Sequence, residues 1–125
     1  PMLWPGARRW VSSGMRSSRV KQAQLTMQQT QVNLTATQER LIAEAVERSQ
    51  KARTAMDSYN TAQQNLQLSQ RIFDRTSIKF SNGLSSSFEL NQDQSQYLGA
   101  QQQYIGSLVE LLLARAELRK ALDLY

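Results

Sequence analysis

The sequence predicts an all-α protein built as a long antiparallel helical hairpin of coiled-coil character. Three observations carry that expectation. Ser17 to Phe80 contains neither proline nor glycine, and strands or loops of such length are almost always punctuated. Apolar and small side chains recur through much of it in four-three steps. One short stop-and-start signal, Ser81-Asn82-Gly83-Leu84-Ser85, separates it from a second stretch of the same kind.

Taken in order, residues 1–14 read as an irregular segment and lead-in turn. Pro5-Gly6 and Ser12-Ser13-Gly14 are turn signals, with Trp4 and Trp10 among them. Residues 15–80 are expected to form the first helix. Its seam steps through Leu41, Ala45, Arg48, Ala52, Ala55, Tyr59, Ala62, Leu66, Ser69 and Phe73. Four of these are alanine, which favours close axes and shallow contacts over deep knobs. Upstream the pattern thins, because Met27, Leu34 and Leu41 alternate with Gln31 and Gln38.

Residues 81–85 are the expected tip turn. Asn82-Gly83 can supply the left-handed residue that ends a helix. Ser86-Ser87-Phe88-Glu89 has the form of a capping box, in which the Ser86 hydroxyl and the Glu89 carboxylate satisfy free amides. Residues 86–125 then form the return helix. One of its seams follows Leu90, Tyr97, Tyr104, Leu108, Leu111, Leu118 and Leu122; another follows Phe88, Leu98, Ile105, Val109, Leu112 and Ala116. Two apolar stripes require more than one neighbour, and a lone hairpin offers only one. At 1.5 Å per residue the helices measure about 95 Å and about 55 Å, so the second covers the first only to about Ala43. Residues 17–42 are left without a partner, and the mismatch predicts a fragment, an oligomer or both. Alone, the chain is expected to be marginal, with helicity that rises with concentration.

Composition narrows the chemistry. There is no cysteine and no histidine, which removes thiolate chemistry and the commonest general base and metal ligand. No nucleophile–base pair and no phosphate-cradling glycine loop stands out, so neither an enzyme nor a cofactor site is expected. The longest apolar run, Leu111-Leu112-Leu113-Ala114, is far short of a membrane span. The net charge of +5 is uneven: Arg8, Arg9, Arg16, Arg19 and Lys21 crowd the start. A basic head of this kind is expected to be a solvated or junction face, with attraction to phosphates or anionic lipid as its alternative. Pro1 is not a natural start, and the opening residues do not read as a signal peptide, so a fragment, or a chain with a displaced 5′ end, is expected.

The tip and return helix resemble a known family. Phe80, Gly83, Ser86, Phe88-Glu89-Leu90 and Ala100-Gln101, with the run from Leu111 to Leu118, are similar in order and spacing to the C-terminal repeat of TolC-like outer-membrane efflux channels. Ser12-Ser13-Gly14-Met15-Arg16 with Gln22-Ala23 resembles the family's strand-to-helix junction. The likeness spans about residues 11 to 125 and implies a fragment of a trimeric α-helical periplasmic tunnel. It implies a homotrimer anchored in the outer membrane by barrel strands missing here, projecting on the periplasmic side. The partners implied are a periplasmic adaptor (a membrane fusion protein) and an inner-membrane pump, with no nucleic acid. The channel would conduct its substrates passively.

For individual residues the resemblance implies an adaptor-docking tip of Phe80, Ser81, Asn82, Gly83, Leu84, Ser85 and Ser86, against the plainer reading of a hairpin turn. Glu89 is a capping acid or an entrance-lining charge, and Gln92 stands at the second entrance position. Where well-known members place an arginine and a second acid, this chain has Ser85 and Gln92, so their charge network does not transfer. Ala7-Arg8-Arg9-Trp10 also departs from the family's apolar strand. Asp93 reads as a solvated helix residue, and Tyr59, Tyr97 and Tyr104 as seam packing. The many glutamines fit a tunnel wall or a solvated face equally well. Two other readings stay open: the adaptor's own helical hairpin, and a generic coiled-coil scaffold that meets membrane or nucleic acid through Arg8 to Lys21.

Overall fold

The computed structural model describes the backbone of residues 5–123 and side chains from Ser13 to Asp123. It contains two helices, α1 (Pro5–Ser81) and α2 (Ser87–Asp123), and no strand among the described residues. The all-α hairpin is therefore observed. The irregular segment expected over residues 1–14 is helical from Pro5 onward. Proline suits the first helical position, where its missing N–H would lack a partner anyway. Gly14 costs an exposed helix about 1 kcal/mol relative to alanine, too little to break one 77 residues long. Residues 1–4 and the last two positions of the expected return helix lie outside the described residues.

Two units can be told apart, residues 1–42 and residues 43–125. The second is the hairpin proper. Along α1 every expected seam position from Leu41 to Phe73 is buried or half-buried, and every other residue between them is exposed. On α2 most shielded residues fall on two seven-residue lines. One is Leu90, Tyr97, Tyr104, Leu111 and Leu118; the other is Asp93, Ala100, Ser107, Ala114 and Ala121. Gln101 and Leu108, half-buried as well, flank them. Leu122 was expected in the seam but is exposed. After Leu118 the seam steps by three to Ala121, and a step of four carries position 122 off the contact face.

Size decides how the lines meet. A buried apolar cluster joins Ala55 to Leu111 and Ala114, with Ala52 and Tyr59 against it. Rings meet across the seam where both helices offer them. Tyr59 and Tyr104 lie 5.5 Å apart between centroids, with their hydroxyls 3.2 Å apart. Phe73 stacks on Tyr97 at 5.9 Å. These separations suit favourable aromatic pairing. Arg48 and Lys51 both reach the Glu117 carboxylate, at 3.3 and 3.5 Å. The pairs run in opposite order along the two helices, as an antiparallel hairpin requires.

The second stripe of α2 is uncovered. Phe88, Leu98, Ile105, Val109 and Leu112 are all at least half exposed. In the first unit, residues 13–40 are exposed throughout. Their helix supplies its own polar satisfaction: Thr26, Thr30, Thr35 and Thr37 donate to carbonyls one turn back.

Candidate docking tip and its brace

The bend is closed by main-chain bonds. Leu84 N–H donates to the Lys79 carbonyl at 2.8 Å, and Gly83 N–H donates to the Phe80 carbonyl at 3.0 Å. This six-to-one and five-to-two pair is a Schellman motif. It places Gly83 in the left-handed region, at φ 73°, which costs glycine little and other residues more. Asn82 does not take that role; its N–H still bonds back to Ile78 and Lys79. An added Cβ on Gly83 would meet nothing within 4 Å, so the glycine answers a backbone need and crowding plays no part.

Entry into α2 uses half of the expected capping box. The Ser86 hydroxyl accepts from the Glu89 N–H at 3.1 Å. The Glu89 carboxylate does not reach back to the Ser86 amide but accepts from the Ser85 hydroxyl at 2.9 Å. That acid still lies in the first turn of α2, where the helix dipole favours negative charge.

Among the large apolar residues at and beside the tip, Leu84 and Phe88 are each 76% exposed and Phe80 is 43% exposed. Ser81 turns its hydroxyl back to the Ser77 carbonyl. Ser81, Asn82, Gly83 and Ser86 are exposed and Ser85 is half-buried. Glu89 and Gln92 are both exposed. The result is a short polar loop flanked by three accessible apolar side chains. Accessible apolar side chains beside exposed polar ones are the makings of a contact surface.

Just inside the tip sits a contact absent from the sequence reading. The Thr76 hydroxyl, in a residue only 5% exposed, donates to the Asp93 carboxylate at 2.6 Å. Asp93 is thus a half-buried seam residue and not a solvated one. It stands seven residues before Ala100 on the small-residue line, a spacing visible in the sequence once that line is recognised. Stacked Phe73–Tyr97 lies next along the seam. Together they brace the bend from within.

Among the described residues no group of three or more metal-ligating side chains converges, and no helix is long and apolar enough to cross a membrane. The second statement does not bear on a β-barrel. No curated protein and no solved structure matches the chain. The outer membrane efflux protein family matches residues 11–123, which takes in nearly all of α1, the bend and α2. By that match the chain belongs to the outer membrane efflux protein family, a family of transport proteins.

Proposed function

We propose that this chain is the tip-bearing hairpin of an outer-membrane channel that passively conducts substrates received from a periplasmic adaptor and an inner-membrane pump. The observation that carries the reading is the tip, where main-chain closure leaves Phe80, Leu84 and Phe88 accessible around a polar loop. Phe80 to Ser86 is the adaptor-docking surface in this reading. Glu89 and Gln92 face the entrance, and the periplasm is the compartment that holds them. The uncovered stripe from Phe88 to Leu112 supports assembly as a homotrimer, because such a stripe needs partners beyond its own hairpin.

The test uses a full-length family member carrying this hairpin. Gly83→Trp adds bulk at the tip where the hairpin itself has open space. Efflux is expected to be lost while trimer formation persists. Gly83→Asn, which tolerates the left-handed conformation, is expected to keep both. Normal drug resistance in the tryptophan variant would count against docking at the tip.

A further inference from the structure

The chain's charge is segregated more sharply than its total suggests. Arg8, Arg9, Arg16, Arg19 and Lys21 share residues 1–38 with no acidic residue. All ten acids lie from Glu39 onward, together with the other ten basic residues. The whole net charge of +5 therefore belongs to the first stretch. Along the helix the nearest carboxylate, Glu39, is about 27 Å from Lys21, beyond a screening length of about 8 Å.

Placement sharpens the point. Arg16 and Arg19 are exposed and three residues apart, hence on one face of α1. Positions 9 and 8 lie seven and eleven residues before them, intervals that return close to the same helical phase. The positive end of the α1 dipole lies at Pro5, and no acid stands in its first turn. Of the five cations only Arg8 lies within that first turn, where positive charge opposes the dipole; Arg16 and Arg19 lie beyond its reach. Met15 and Val20, each 56% exposed, adjoin the two arginines.

We propose that this stretch seats on the anionic phospholipid headgroups of a membrane surface. Arg16 and Arg19 take lipid phosphates, and Met15 and Val20 enter the acyl boundary beside them. The apolar neighbours and the family's outer-membrane setting select lipid over nucleic acid, and tip docking plays no part in this seating.

The test is co-sedimentation of the chain with vesicles of phosphatidylcholine mixed with phosphatidylglycerol, and with phosphatidylcholine alone. Binding is expected only to the anionic vesicles and weakens as salt is raised. Arg16→Gln with Arg19→Gln is expected to weaken it about thirtyfold. Arg115→Gln with Arg119→Gln removes equal charge from the balanced region, and an effect of less than about twofold is expected. Equal loss in both double variants would show a response to net charge alone and overturn the proposal. So would equal binding to both kinds of vesicle, or displacement from vesicles by duplex DNA at matched phosphate concentration.

Discussion

Val20, Met27 and Leu34 stand at seven-residue intervals that continue without a break into Leu41, Arg48, Ala55 and Ala62. The first three are more than half exposed, whereas Ala55 and Ala62 are buried. Both stretches belong to α1 and keep the same phase. What differs is the partner: α2 lies along the second stretch, and residues 13–40 are exposed throughout. The companion positions differ too, since Gln24, Gln31 and Gln38 stand where Ala45, Ala52 and Tyr59 stand further on. A heptad frame therefore specifies where a neighbour can pack. Whether that face is dry depends on the neighbour being there.

The largest expected effect separates the two stretches directly. Ala62, at 2% exposure, has no room for a longer side chain. Ala62→Arg should cost about 3 kcal/mol or more through overpacking and burial of charge. Leu34→Arg should stay within about 0.5 kcal/mol. Guanidinium unfolding followed by circular dichroism measures both. A large loss for Leu34→Arg would mean that the upstream face is covered in solution.

A smaller effect tests the brace near the tip. Thr76→Val leaves the Asp93 carboxylate short of a partner in a half-buried site and should cost about 1–3 kcal/mol. Adding Asp93→Leu to that variant should return most of the loss, a non-additivity that a double-mutant cycle reads directly. Additive costs would mean that the 2.6 Å contact does not couple the two helices.

The smallest effect lies in alkali. The hydrogen bond to Tyr104, with partial burial and the Tyr104 charge behind it, raises the Tyr59 phenol above its usual 10.0. The protonated ring is thus favoured in the hairpin. Its contribution is complete below pH 10, the unfolded value, and fades as pH rises through the higher folded one. The unfolding midpoint should fall above pH 10, and Tyr59→Phe should flatten that decline. An unchanged decline in the variant would assign it to other groups.

Much of this architecture is legible in the residues. The α1 seam was readable because alanine, tyrosine and phenylalanine recur against a background of glutamine, arginine and serine. On α2 bulk misled the eye. Leucines and tyrosines marked one line, while Asp93, Ala100, Ser107, Ala114 and Ala121 are too small or too polar to advertise the other. Asp93 therefore reads as solvated in the sequence, and the leucine spacing draws Leu122 into a seam that runs through Ala121. Ser85 was a missed cap partner because the capping-box pattern directs the acid to a backbone amide, whereas a hydroxyl one residue earlier was within its reach. The helical start at Pro5 was obscured because Pro5-Gly6 has the form of a turn.

The bend is held shut by the carbonyls of Lys79 and Phe80, the amides of Gly83 and Leu84, and one glycine in an unusual rotation. Those atoms are common to every sequence that keeps the glycine. Identity at positions 81, 82 and 84 can therefore drift without reopening the loop, which makes the segment exchangeable, a cassette whose contents change while its frame persists. Related hairpins can diversify what they present at this end while leaving their shafts untouched.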